Sequence, residues 1–517
     1  MLKSTSSDSV DDFLKKIISS SFLIFFGNIA SMVATFGIGI LLIRTVDQKD
    51  FGIIALANTI ITIVVIISTM GFGNGIPRLL AKYQEHNDQT KAQQIIATSQ
   101  LLCLFTSIII VCLLYFFSGE MAVYFHKPRL EFIGRIFVLM IPPLIFIQLT
   151  TANFRGLKKT LPKIIFRDIF FNFSRFFLLV VIYFMGLDVF AVAWGYVAVT
   201  WFVCLCYLLY FYKTIKFDTL LFFNPSVARE LLLFSIPLLG VVLLDNIVNW
   251  VGTLSVGYFS SSVEIGIYAA SQRLTPILKM PFTAVLYIYL PLATSMVVKH
   301  QFSEMKILHS SACKWIFIST LPLLLFFLAD ADFIVNKLFG ENYSATATIL
   351  RLITIGIFFQ CFLGPSGITI IAFGKTSPVL TTSAAACCIA VLLNVLFVPL
   401  YGALGAAISM ATAKIISCVL LAFSLYCHAK LHVFNKHQIF MLIFSFPIGL
   451  GLFYFLNIIP HENWLGHLVM IPFVFTILLI ITIVCKTFSL EDVHLLGTIE
   501  NKITGKQRFS NWMMTRI

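Results

Sequence analysis

The chain has 517 residues, of which 59% are hydrophobic and only 11% charged, with a mean hydropathy of +0.96. Soluble domains carry about a quarter charged residues, so the composition excludes a soluble enzyme or binding module and indicates an integral membrane protein. The formal net charge of +13 is spread along the segments between apolar runs, which is a topology signal and not a nucleic-acid footprint.

About fourteen apolar runs are long enough, at roughly 20 residues each, to cross a hydrocarbon layer as helices. The first, 17–43, follows an N-terminus holding Asp8, Asp11 and Asp12 and has no convincing cleavage site, so it reads as a retained helix. Then come 52–71, 95–117, 136–153, 169–186 and 189–212. A second group comprises 231–255, 266–298, 312–329, 346–373, 378–397 and 402–427, and the last two are 438–457 and 464–485. The alternating pattern of a transmembrane barrel is missing, which leaves an all-α polytopic membrane protein. The 11 cysteines sit mostly inside apolar runs, as in Cys387-Cys388, without metal or disulfide spacing.

Placing the N-terminus inside and alternating through fourteen helices gathers 25 Lys and Arg on the inside, counting Lys314 in the first turn of its span. The outside then holds only 6: Arg44, Lys49, Lys127, Arg129, Arg135 and Lys337. That asymmetry predicts both termini in the cytoplasm.

The stretch FRGLKKTLP, residues 154–162, shares Lys-Thr-x-Pro with Lys375, Thr376 and Pro378, an offset of 216. DFGIIALA at 50–57 resembles EIGIYAAS at 264–271, an offset of 214. Two anchors with nearly one period predict a duplication: a six-helix half at 1–215, a second at 216–430, and two additional helices with a cytoplasmic tail at 431–517. An even helix number makes the halves parallel repeats about an axis along the membrane normal, the plan of alternating-access carriers. Pro162 and Pro378 suit a first helical turn, and Arg155, Lys158, Lys159 and Lys375 suit the cytoplasmic interface, as helix anchors or as contacts for lipid headgroups.

FRGLKKTLP, FGKTSPV at 373–379 and LLNVLFVPLYGALGAAISMATAK at 392–414 resemble the polysaccharide and O-antigen flippases. These are a branch of the multidrug/oligosaccharidyl-lipid/polysaccharide exporter superfamily. The resemblance covers nearly the whole chain and implies a MATE-like fold. It also implies flipping of an undecaprenyl-diphosphate-linked oligosaccharide from the cytoplasmic to the periplasmic leaflet of a bacterial inner membrane. The implied partners are the lipid-linked anionic glycan, membrane lipids and polysaccharide polymerase or export machinery, around a monomeric working unit. One departure is Lys158, where family members often carry glycine or another small residue.

Five cations, Arg175, Arg273, Lys279, Arg351 and Lys414, fall inside the expected spans, where each needs a partner, a watery cavity or a route to the interface. Depth singles out Arg273 and Lys414 as cavity-lining, while Arg175, Lys279 and Arg351 lie within snorkelling reach of an interface. Small residues at Gly402, Gly405, Ala406, Ser409 and Ala413 also permit close helix packing around Lys414. The one deep acid is Asp245, with Asn246 beside it and Asn249 one turn on. It could serve a coupling Na+ or H+, pair with a buried cation, or stay protonated. Excess buried positive charge suits an anionic cargo such as a lipid diphosphate. The rival readings are a peptidoglycan-precursor flippase, a multidrug antiporter of the same superfamily, and a non-transporting membrane scaffold or polymerase.

Other motifs carry less. Gly374-Lys375-Thr376 lacks the glycine that a phosphate-binding loop needs five positions earlier, where Thr369 stands. GFGNG at 71–75 reads as a flexible helix end, and Asn342-Tyr343-Ser344 as a chance sequon. Cys427, His428 and His432 read as interfacial residues and not as a metal site. No catalytic constellation, cofactor motif or resident metal site is expected.

Overall fold

The computed structural model describes residues 27–215 and 223–431, and beyond them residues 447, 449, 451–456, 466, 467, 469, 470 and 472–476. Residues 1–26, much of the spans expected at 438–457 and 464–485, the tail and His432 lie outside the described residues. Among the described residues there is no strand. Within those residues ten helices are long and apolar enough to cross a membrane, eleven with one bent pair. The chain is therefore an all-helical, multi-pass membrane protein.

In chain order the helices are α1 (27–45), α2 (Gln48–Ser68), α3 (Phe72–Glu85), α4 (Gln89–Phe116), α5 (Ser118–Tyr124), α6 (Pro128–Val138), α7 (Ile141–Gly156), α8 (Phe171–Met185) and α9 (Val189–Thr214). They continue as α10 (Pro225–Phe259), α11 (Ser262–Val298), α12 (Phe302–Ala329), α13 (Ala331–Phe339), α14 (Thr346–Leu363), α15 (Pro365–Ala372) and α16 (Ser377–Ala429). A π-helical segment, Lys163–Phe170, leads directly into α8. The first twelve expected spans fall on these helices. Two of them, 378–397 and 402–427, share α16, which is interrupted at Gly402 (φ 56°, ψ −131°).

Packing inverts the soluble pattern. On α4, Leu101, Leu104, Phe105, Ile108 and Ile109 recur at helical spacing and are exposed. Ser99, Gln100, Cys103 and Ser107 face inward. Large apolar side chains turned to lipid and small or polar ones turned to neighbouring helices are what a bilayer solvent selects.

By packing, the chain forms two compact units. The first comprises residues up to Arg273 with Asn394–Ala406, and the second comprises Leu274–Leu393 with Ala407 onward. In the first, α10 packs against α2, α3 and α4, and α7 against α3, α4 and α9. In the second, α12 packs against α14 and α13 against α14. Residues Leu452, Leu456 and Val474 join a core with Phe317, Phe358 and Phe362.

Corresponding elements recur at nearly one period. Helices α4 and α12 are both 28 residues long. Their starts, Gln89 and Phe302, are offset by 213, and those of α2 and α11, Gln48 and Ser262, by 214. The two basic loops share a backbone. Lys158 N–H donates to Arg155 O and Lys159 N–H to Phe154 O (3.1 and 2.9 Å). Gly374 N–H donates to Ile371 O and Lys375 N–H to Ile370 O (2.9 and 3.2 Å). Both are Schellman helix ends, with Lys158 at φ 57° and Gly374 at φ 75°. The departure at Lys158 thus leaves the loop unchanged and places a lysine in the left-handed region.

Two details differ from the sequence reading. Helix α12 begins at Phe302 and not near 312, so Lys314, counted as an interface charge, lies in the fourth turn of the helix and is 8% exposed. GFGNG is no frayed end. Gly71 adopts φ 76° at the start of α3, and a Cβ there would strike the Ser235 backbone of α10.

Candidate functional site

Within the first unit, three helices present polar residues one turn apart to a common space. Asn58, Thr59 and Thr62 come from α2, Asn249, Trp250 and Thr253 from α10, and Gln272 and Arg273 from α11. They line a cavity of about 250 Å³. Asn58 lies ten residues from the start of α2, Asn249 ten from the end of α10 and Arg273 eleven from the start of α11. At 1.5 Å per residue the cavity sits about 15 Å from those helix ends, the middle of a 30 Å layer. An arginine at that depth is costly to place in lipid and marks a candidate site.

Arg273 makes neither a hydrogen bond nor an ion pair with any described residue. Its aliphatic stem runs past Gly39 of α1, where a Cβ would come within 3.1 Å of Cδ. Arg175 lies within electrostatic range of it. The Arg175 guanidinium is held between the rings of Phe171 and Tyr196, at 4.2 and 4.8 Å from their centroids, and donates to Thr200 Oγ1 at 3.2 Å. Such cation–π contacts attract a guanidinium in an apolar setting. Arg175 Nε and the Tyr196 hydroxyl have no hydrogen-bond partner among the described residues. Two guanidiniums within electrostatic range, one without a counter-ion among the described residues and one with a spare donor, are an arrangement that an oxyanion would complete.

The second unit holds the two lysines together. Lys414, 7% exposed, donates to Gln360 Oε1 of α14 at 3.2 Å and lies within electrostatic range of Lys279. Thus Arg175 and Arg273 belong to one unit, and Lys279 and Lys414 to the other. Arg351 is apart from both groups. It pairs with Asp332 at 2.5 Å and donates to Leu328 O at 2.9 Å, a brace between helix ends.

Asn249 lines the cavity beside Arg273. Asn246 instead bonds its own helix, Nδ2 to Val242 O at 2.8 Å. Asp245, one turn before Asn249, is exposed at mid-helix. Among the described residues no three His, Cys, Asp or Glu side chains converge as metal ligands. His428 Nδ1 lies 2.8 Å from Ser424 O of its own helix. The basic-loop residues Arg155, Lys158, Lys159 and Lys375 are all exposed, and Arg155 also donates to Gly73 O and Asn74 Oδ1.

Sequence reading misses Asn58, Thr59, Thr62, Gln272, Tyr196 and Gln360. The i, i+4 spacing of Asn58 and Thr62 is an available signal. The pairing of Gln360 with Lys414, contributed by two helices far apart in sequence, is not.

Residues 17–297, more than half of the chain, match the polysaccharide biosynthesis protein family. Among solved structures, the lipid II flippase MurJ in an inward closed conformation superposes with a TM-score of 0.71 at 14% identity, covering 89% of this chain and 98% of that one. An inward-facing multidrug resistance MATE family transporter of the MOP superfamily gives 0.65 at 12% identity, covering 77% and 94%. A MOP superfamily transporter from Pyrococcus furiosus gives 0.56 at 14%, covering 80% and 95%. The fold is shared with these transporters. No curated protein sequence matches the chain.

Proposed function

Because the chain belongs to the polysaccharide biosynthesis protein family, we propose that it is a flippase for an undecaprenyl-diphosphate-linked oligosaccharide. It moves that cargo from the cytoplasmic to the periplasmic leaflet of a bacterial inner membrane for O-antigen, capsule or exopolysaccharide assembly. The observation that carries this reading is the mid-membrane Arg273, without a counter-ion among the described residues and close to Arg175. A diphosphate supplies the missing negative charge in bidentate geometry, while a cationic drug would be repelled. Lys279 and Lys414 add positive charge, and the polar cavity residues suit sugar hydroxyls.

The mechanism is alternating access by two halves, 1–215 and 216–430, followed by 431–517, with both termini cytoplasmic. The repeated helix lengths and loop backbones support the duplication. So does a reciprocal contact inside the first unit. A Cβ on Gly52 would meet Ser262 O, and a Cβ on Gly266 would lie 2.6 Å from Gln48 O. Gly52 and Gly266, like Gln48 and Ser262, stand at the offset of 214, so each half offers the same patch to the other, as across a two-fold axis.

Coupling to Na+ or H+ is assigned to Asp245 with Asn249, one turn apart on α10; Asn246 is the weaker ligand, being bonded to Val242. The chain carries out transport and no covalent chemistry. Reconstitution tests the reading: proteoliposomes should translocate undecaprenyl-diphosphate oligosaccharide, and Arg273→Gln should abolish it in protein that remains folded. Transport of a lipophilic cation in place of the glycolipid would contradict the assignment. Rescue of cells depleted of their peptidoglycan-precursor flippase would move the cargo to lipid II.

A further inference from the structure

A second cavity in the first unit, again about 250 Å³, lies where α7 ends and the π-helical segment begins. Its polar lining is Thr69, Asn74, Gln148, Thr151, Arg155 and Arg167, with Leu239 and Val242 of α10 along one side and no acid in the lining. Arg155 is held by neutral acceptors only, the Gly73 carbonyl and Asn74 Oδ1 at 3.1 Å. Arg167 has no hydrogen bond or ion pair with a described residue. Its sequence neighbour Asp168 is turned to Lys163 at 3.3 Å. The two arginines lie within electrostatic range of each other.

We propose that Arg155 and Arg167 form a receiving site for the phosphate groups of a lipid-borne headgroup, one step before the Arg175–Arg273 pair. The proposal rests on the flippase reading above. Two like charges lining one cavity, one of them held by neutral carbonyl groups and neither paired with a carboxylate among the described residues, are a donor set that an anion would complete. Guanidinium forks match phosphate oxygens in pairs, whereas lysine interface anchors act as point charges.

The π-helical segment has a role in this placement. π-turns are rare and concentrate at functional positions. Arg167 and Arg175 are eight residues apart, so about 12 Å along one continuous helix, and in pure α-helix they would sit about 80° apart around its axis. The wider winding of i→i+5 turns reduces that angle and brings the two arginines toward one face. A diphosphate leaving Arg155 and Arg167 meets the deeper pair one headgroup length further on.

The test uses the full-length protein in nanodiscs, with native mass spectrometry reading retention of undecaprenyl diphosphate without sugars, and of phosphatidylglycerol as the bulk-lipid probe. Arg167→Glu is the chief variant, since Arg167 has no partner among the described residues whose loss would unfold the protein; Arg155→Gln and Arg273→Gln are run beside it. The site predicts a loss of roughly tenfold in undecaprenyl diphosphate retention for Arg167→Glu, the scale of a charged hydrogen bond, with phosphatidylglycerol unchanged. Unchanged diphosphate retention overturns the site, and equal loss of both lipids overturns it in favour of a bulk-lipid anchor. A response to Arg167→Glu with none to Arg273→Gln keeps the receiving site and removes the central one; the converse keeps the central reading and removes this one.

Discussion

Adding one methyl group at Gly266 tests the moving parts directly. The added Cβ would sit 2.6 Å from the Gln48 carbonyl oxygen, against an ordinary contact of at least about 3.4 Å between such atoms. Both partners are backbone at helix starts, so no flexible side chain can give way, and α2 and α11 must part by roughly 0.8 Å, the difference between those contacts. Overpacking of this kind costs about 1–3 kcal/mol. If the contact seals one end in only one of two transport states, that cost shifts the equilibrium by about 5- to 150-fold toward the open state. In a cysteine-depleted background, a cysteine at Thr253 reports the change through its labelling rate by a membrane-impermeant maleimide. Gly266→Ala and the repeat-related Gly52→Ala should each raise that rate without loss of folded protein. A lowered unfolding temperature with an unchanged labelling rate would make the crossing a permanent structural joint and not a moving seal.

Lys158→Gly should stabilise the protein by about 0.5–1 kcal/mol, since relief of a left-handed lysine outweighs the added chain entropy. The reverse change, Gly374→Lys, should destabilise it by a comparable amount, both read as detergent-resistant unfolding temperature. Arg351→Gln should lower stability by up to about 1 kcal/mol, as for a partly exposed ion pair, and leave glycolipid binding unaltered, because Arg351 braces Asp332 and Leu328 and does not line the cavity. Asp245→Asn should make transport rates independent of an imposed Na+ or H+ gradient. A retained gradient dependence would place coupling elsewhere.

Much of this organisation is legible in the sequence because lipid imposes a simple rule, long apolar runs with the backbone satisfied internally. The proposed repeat rests on short matches, at helix ends that take the same turn residues. Legibility fails where the answer depends on which helices meet. Lys314 is misplaced by hydropathy because α12 starts ten residues before its apolar run, and charged flanks are tolerated at a helix start. The cavity on α2, α10 and α11 joins residues far apart in sequence, and hydropathy does not reveal which face of each helix turns inward. Lys158 is a different case, because a lysine gives no local hint of a left-handed backbone and only its alignment with Gly374 does. The same limit explains Arg167, whose direction depends on π-helical winding that composition does not encode.

The most direct measurement of the central claim compares binding of undecaprenyl-diphosphate oligosaccharide and of a lipophilic cationic drug to the purified protein and to its Arg273→Gln/Lys414→Gln variant. A lipid-diphosphate flippase prefers the diphosphate, with binding weakened at least about tenfold in a variant that keeps its helical content and unfolding temperature. Preference for the cation, or glycolipid binding that ignores both substitutions, would contradict it.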